Sequence, residues 1–300
     1  MTTTTTQSGI INNSSHNNTI INSIICGDAL SVLKTFDSES IDCCITSPPY
    51  WSLRDYKADA QLGREKYYTE YIDKLVEIFD QVKRVLKKTG SCWIVIADSY
   101  DNNKRMIGIP ERLCINMIDK SEWILRSKII WWKRNATPSS AKDRFTPDWE
   151  YVFFFVKSAN NYYFKTQYEP HNPKYNFRYK SPFGGPNNKS GQGAFDYSNP
   201  RFLKQNPLGR IQRCVWDIPV ESYKDAHFAV YPTKLIKSPL IATCPEGNGI
   251  VLDPFMGSGT TALVALENAR KFIGIELNPD YVKMSLQRVA PYLAQQKLLT

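Results

Sequence analysis

The residues best suited to chemistry stand in one short run, Thr46-Ser47-Pro48-Pro49-Tyr50-Trp51. Two successive prolines fix φ twice and remove two backbone donors, so the chain turns stiffly with carbonyls left free to accept. A hydroxyl precedes the prolines and two large rings follow them. Such a turn offers rigid hydrogen-bond acceptors, Ser47 Oγ and the Pro48 carbonyl, beside a stacking surface on Tyr50. A planar base with an exocyclic amine fits it. Trp51 is expected to pack rather than to line a pocket. Read alone, the run is also compatible with an ordinary proline turn.

A second run, about 200 residues later, narrows the choice. Asp253-Pro254-Phe255-Met256-Gly257-Ser258-Gly259-Thr260-Thr261-Ala262 lies between an apolar run and a helical pattern. Gly257, Gly259 and Ala262 fit G-x-G-x-x-A, in which the glycines permit a tight turn and let a ligand approach the backbone. The next apolar run ends in Glu276, 23 residues after Asp253, where a carboxylate can accept from both hydroxyls of a ribose. The unit therefore suits an adenosine-containing cofactor.

The elements that must carry these runs alternate strand and helix, which predicts an α/β fold. Strands are expected at 20–26, 41–45, 91–97, 124–132, 151–156, 214–218, 249–253 and 271–276. Helices are expected at 29–36, 71–88, 110–120, 232–243, 260–268 and 279–294. The helix at 71–88 is the clearest, with Ile72, Leu75, Val76, Phe79, Val82, Val85 and Leu86 at helical spacing and Gly90 as a stop. About 40 residues follow Gly257, too few for a second mononucleotide-binding half. The cofactor strand is therefore expected to insert beside strands from 20–156, bringing its loop near Asp28 and Ser47.

Composition bounds the rest. The chain has 300 residues, long enough for one large or two small domains, and a net charge of +9. Between Lys157 and Arg213 stand ten Lys or Arg against only Glu169 and Asp196, interleaved with Tyr162, Tyr163, Phe164, Tyr168, Tyr175, Phe177, Tyr179 and Phe183. That mixture suits a phosphate backbone and base edges. No apolar run approaches membrane-spanning length, so no membrane association is expected. Residues 1–19 carry no charge and read as a disordered tail rather than a signal peptide. The seven cysteines show no metal-ligand spacing and only three histidines occur, so no metal site is expected. Free cysteines in apolar runs suit a reducing cytoplasm.

The pair Thr46–Trp51 and Asp253–Thr261, in that order, resembles the β-class amino-DNA methyltransferases of bacterial restriction–modification systems. Supporting blocks at 25–30, 62–65, 90–100, 131–150, 231–235 and 274–279 resemble the same family. The resemblance covers 20–156 and 214–290. It implies a permuted Rossmann-like methyltransferase fold with a central, mostly parallel sheet and an inserted target-recognition region. The expected division is a tail at 1–19, a catalytic part at 20–157, a recognition region at 158–213 and a cofactor-binding part at 214–300.

The resemblance further implies S-adenosylmethionine as cofactor and double-stranded DNA as substrate, with the target base flipped out. The resemblance also allows a cognate restriction endonuclease acting on the same site, and the enzyme is expected as a monomer or homodimer. Ser47, Pro48, Pro49 and Tyr50 are the implied catalytic motif, with Asp98 as a further acceptor or, equally, a helix cap. Asp253, Phe255, Gly257, Ser258, Gly259, Thr260 and Thr261 form the cofactor loop. Glu276 would hold the ribose, Asp28 would accept from the adenine amine or cap a helix, and Tyr231-Pro232 would close over the cofactor. Serine at 47, where the family's N6-adenine enzymes typically carry aspartate, points to N4 of cytosine; an N6-adenine enzyme of the same fold is the alternative.

The alternatives fit less well. RNA or protein amide methyltransferases with a Pro-Pro-Tyr motif usually carry the cofactor loop first. A nicotinamide dehydrogenase needs further strands after the glycine loop and has no use for residues 47–50. A non-enzymatic DNA-binding protein explains 158–213 but neither motif. A C5-cytosine enzyme needs a thiolate nucleophile, usually in Pro-Cys, and no Pro-Cys occurs.

Overall fold

The computed structural model describes residues 20–53, 61–171, 206–221 and 231–299. The expected tail at 1–19 and residues 172–205 of the expected recognition region lie outside them. The chain divides into two compact units, Met1–Phe164 with Val215–Thr300, and Lys165–Cys214.

The larger unit is built on an eight-stranded sheet. Its strands are β1 (Ser23–Cys26), β2 (Ile41–Thr46), β3 (Leu86–Ile96), β4 (Ile124–Trp132), β5 (Trp149–Val156), β8 (Val215–Asp217), β9 (Ile250–Asp253) and β10 (Lys271–Glu276), in the order β1-β10-β9-β2-β3-β5-β4-β8. The first five in that order run parallel, β5 runs antiparallel to β3 and β4, and β8 is parallel to β4. The smaller unit contains one short ladder, β6 (Tyr168–Glu169) with β7 (Arg210–Ile211), where Glu169 is paired with Arg210 and Arg213.

Among the described residues six helices accompany the sheet: α1 (Ala29–Leu33), α2 (Tyr68–Val85), α3 (Ile109–Asp119), α4 (Thr233–Thr243), α5 (Thr260–Glu267) and α6 (Pro279–Leu299). Side chains alternate across the sheet. Cys44 joins the core with α1, α2 and α3, whereas Cys43 faces the core with α4, α5 and α6. Both faces of β2 are therefore covered and all six of its residues are buried, which explains why it reads as a mostly apolar run.

The expected end of the long helix is corrected. α2 stops at Val85, and β3 begins at once at Leu86. Ile41 pairs with Leu86 and Cys43 with Ser91, so residues 87–90 loop out of the ladder. Lys87, read as helical, reaches Asp42 at 2.8 Å instead. A Cβ on Gly90 would lie 2.9 Å from the Lys87 carbonyl, so the glycine permits this bulge rather than stopping a helix.

The strand order positions the site. From β2 the chain crosses to β3 on one side; from β9 it crosses to β10 on the other. The connections diverge at the β9/β2 boundary, and the loops there open a crevice at the carboxyl ends of the strands. The segment that arrives last in the sequence thus sits between β1 and β2, as the permuted order requires.

Candidate active site

A cavity of about 420 Å³ lies at this boundary, within the range of small-molecule sites. Ser47, Pro48, Pro49 and Tyr50 line one part. Asp28, Tyr231, Phe255, Gly257, Ser258, Thr260 and Glu276 also line it. The two runs, 207 residues apart, meet because Thr46 Oγ1 donates to Asp253 Oδ1 at 2.6 Å.

Asp253 itself lies beneath the cavity, fully buried. It accepts four hydrogen bonds: from Thr46 and Thr261 hydroxyls at 2.6 Å, from Tyr231 Oη at 2.9 Å and from Phe255 N at 3.0 Å. Burial pushes its carboxyl above the usual range, against the pull of those donors. Thr261 and Asp253 thus buttress the loop without lining it. Gly259 and Pro232 also fall outside the lining. Gly259 caps α5 at φ +83°, where a Cβ would lie 2.8 Å from Ser285 Cβ. Pro232 starts α4.

The structure does not bring Asp98 into the cavity. Its carboxylate accepts from Ser99 N, Gly108 N and Ile109 N at 2.8–2.9 Å, and so caps the start of α3. Asp28 does both things expected of it in part: it lines the cavity, and its Oδ1 caps α1 through Ser31 N at 2.9 Å.

On the cofactor side, Glu276 Oε2 accepts from Gly257 N and Oε1 from Asn278 N, each at 2.8 Å. Burial raises its carboxyl pKa above the ordinary 4.5, although those two donors oppose the shift. Gly257 sits at φ +53°, and a Cβ there would meet nothing closer than the Phe255 carbonyl at 3.9 Å. The backbone therefore borders open space that a side chain would fill, as a cofactor cradle needs. Arg288 holds the loop from behind through Ser258 and Thr260.

On the proline-turn side the brace is extensive. Tyr71 Oη donates to the Pro49 carbonyl at 2.7 Å, and Ser99 Oγ to the Trp51 carbonyl at 2.8 Å. Trp51 packs in the core, its Nε1 donating to the Glu65 carbonyl at 3.0 Å. Among the lining residues that escaped the sequence reading are Lys133 and Glu150. Glu150 Oε2 accepts from Tyr50 Oη at 2.6 Å and Oε1 from Lys133 Nζ at 2.8 Å. Burial first, and the Glu150 charge second, push the Tyr50 phenol well above its usual range.

The sequence model of the N6/N4 methyltransferase family, described as DNA methylase, matches residues 41–287. The chain belongs to this DNA methylase family. Type II methyltransferase M.Cfr9I of Citrobacter freundii is 35% identical over 291 residues, 88% of this chain and 86% of that protein. Among solved structures, the PvuII DNA methyltransferase (cytosine-N4-specific) superposes with a TM-score of 0.64 at 23% identity, over 89% of this chain and 85% of that one. A Thermus thermophilus protein described as a DNA modification methylase, solved with S-adenosyl-L-methionine, gives a TM-score of 0.58 at 23% identity over 90% and 95% of the two chains. This DNA methylase has the Rossmann-like methyltransferase fold. No helix among the described residues is long and apolar enough to cross a membrane.

Proposed function

We propose that this DNA methyltransferase methylates the exocyclic N4 of a cytosine flipped out of duplex DNA. The observation that carries the reading is the meeting of the Ser47–Tyr50 turn and the Gly257–Glu276 loop in one cavity, joined by the Thr46–Asp253 hydrogen bond. S-adenosylmethionine supplies an electrophilic methyl group on a sulfonium. The amine is a poor nucleophile because its lone pair is delocalised into the ring. Ser47 Oγ and the Pro48 carbonyl accept from its N–H groups and stabilise the charge that develops there. Tyr50 stacks on the flipped base. Glu276 holds the ribose, Asp28 accepts from the adenine amine, and Tyr231 and Phe255 close around the cofactor. The segment 158–213 grips the DNA and reads its sequence.

Cytosine is favoured by Ser47, in the position where the N6-adenine enzymes of this family carry aspartate. The cytosine-N4 specificity printed for the PvuII enzyme supports the same choice. Methylation of plasmid DNA followed by nucleoside mass spectrometry decides it. N4-methylcytosine is the expected product; N6-methyladenine keeps the fold and overturns the base.

The raised pKa of Glu276 gives the site a pH signature. Both of its oxygens already serve loop amides, so protonation weakens the cradle as well as the ribose contact. Affinity for S-adenosylmethionine is expected to fall as pH drops through a value above 4.5, the ordinary glutamate range. Glu276→Gln should bind about 10-fold more weakly or worse and lose that acid limb. Calorimetric titration across pH checks both. An acid limb that survives Glu276→Gln removes this residue from the cofactor site.

A further inference from the structure

Ser47, Tyr50, Glu150 and Lys133 form a continuous polar line along the cavity. Ser47 Oγ lies 3.4 Å from Tyr50 Oη, Tyr50 Oη lies 2.6 Å from Glu150 Oε2, and Glu150 Oε1 lies 2.8 Å from Lys133 Nζ. The direction of each bond follows from valence. A carboxylate only accepts, so Tyr50 donates to Glu150. Tyr50 has then used its single proton and can only accept from Ser47. The Ser47 proton therefore points to Tyr50, and both lone pairs of Ser47 Oγ are left to accept from a donor in the cavity.

We propose that Glu150, held by Lys133, is the positioning residue that fixes Ser47 as a hydrogen-bond acceptor, and that it takes up the amine proton through Tyr50 and Ser47. This rests on the reading of the cavity as an exocyclic-amine methylation site, and it applies to either base. A serine is ambiguous, able to donate or accept; an amine with two N–H groups needs an acceptor. The line to Glu150 removes the ambiguity.

Glu150 is suited to the task by place and by elimination. Its register partner across the β4–β5 ladder is Trp131, two residues before Lys133. The Lys133 and Glu150 side chains are 16% and 12% exposed. The other lining carboxylates, Asp28 and Glu276, are engaged with the α1 start and the cofactor loop. Asp98 is committed to three backbone amides.

The proton count closes. When the methyl group is transferred, the N–C bond forms, the S–C bond breaks, and the positive charge passes to the amine nitrogen. One N–H bond then breaks and its proton goes to Ser47 Oγ. Ser47 gives its own proton to Tyr50, and Tyr50 gives its proton to Glu150 Oε2. The products are a neutral methylamino base, a neutral thioether and a protonated Glu150, which releases its proton to solvent after product leaves. Tyr50 and Ser47 end as they began.

The test exploits an isostere. In Glu150→Gln, Lys133 holds the amide oxygen, so the amide N–H faces Tyr50 and reverses the line; Ser47 then donates toward the amine. We expect kcat on duplex DNA to fall about 100-fold. Tyr50→Phe keeps the ring and cuts the line, with an expected loss of about 10-fold. The double variant should be more active than Glu150→Gln alone, because a cut line can no longer be reversed. Affinities for S-adenosylmethionine, by calorimetry, and for duplex DNA, by fluorescence anisotropy, should stay within about twofold. A double variant whose losses multiply overturns the proposal. If Glu150→Gln fails to fold, a kcat for Tyr50→Phe within about twofold of the parent overturns it. A parent enzyme that transfers no methyl group to duplex DNA sinks the proposed function instead.

Discussion

Ser47→Ala is expected to lower kcat about 1,000-fold while leaving the affinity for S-adenosylmethionine within about twofold. The hydroxyl lies on the proline-turn side of the cavity, and its hydrogen bond runs to Tyr50 rather than to the cofactor loop. Its backbone is held independently, by Thr46 on one side and by Tyr71 on the Pro49 carbonyl on the other. Removing Oγ should therefore delete one acceptor for the amine and leave the turn in place. Single-turnover methylation of duplex DNA, with calorimetry of the cofactor in parallel, measures the two quantities. A matching loss of cofactor affinity would mean that Ser47 belongs to the wrong half of the site.

Asp253→Ala should destabilise the protein by about 4 kcal/mol, because it strands four donors at once, two of them in buried bonds and two in part-buried ones. Thr46, Thr261, Tyr231 and the Phe255 amide all converge on this carboxylate, which has no exposure to solvent. For a domain of this size the thermal midpoint should fall by about 10 °C. Thr46→Val, which removes one donor and its share of the network, should cost about 1 kcal/mol. The sign of the pH effect differs from that of a surface salt bridge. The folded-state pKa of Asp253 is raised, so its contribution is complete below the unfolded value and is lost as pH rises through the folded one. Thermal melts of parent and variants across pH check all three statements. A midpoint for Asp253→Ala within about 2 °C of the parent refutes the role assigned to this carboxylate.

Much of the architecture was legible because the parallel strands at the sheet centre are covered on both faces. Such strands appear as short apolar runs ending in Asp, Ser or Glu, and α2 shows a clean helical period. Each reading used residues close in sequence. The misreadings and omissions have the same physical origin. Lys87 and Lys88 followed a helical pattern, yet Ile41 offered Leu86 a ladder partner and took the chain out of the helix. Asp98, at the end of a strand, has the look of a catalytic acid until the amides of Gly108 and Ile109 arrive from a loop about ten residues on. Lys133 and Glu150 have no local spacing to announce them; they meet only because β4 and β5 pair antiparallel in a particular register. The buried carboxylate of Asp253 could be located, but its partner Thr46 is 207 residues away.

The strand order also sets a timetable for synthesis. β9 and β10 leave the ribosome after the other strands of the sheet, yet they separate β1 from β2 in the finished sheet. Until they emerge, the edge strand β1 lacks its one neighbour, β10, and β2 has one bare edge, so the early half cannot close on its own. The crevice, the cofactor loop and the buried carboxylate all come into being in the same late step. A growing chain that stops short of residue 276 therefore lacks the loop and the carboxylate that line the cofactor side of the crevice.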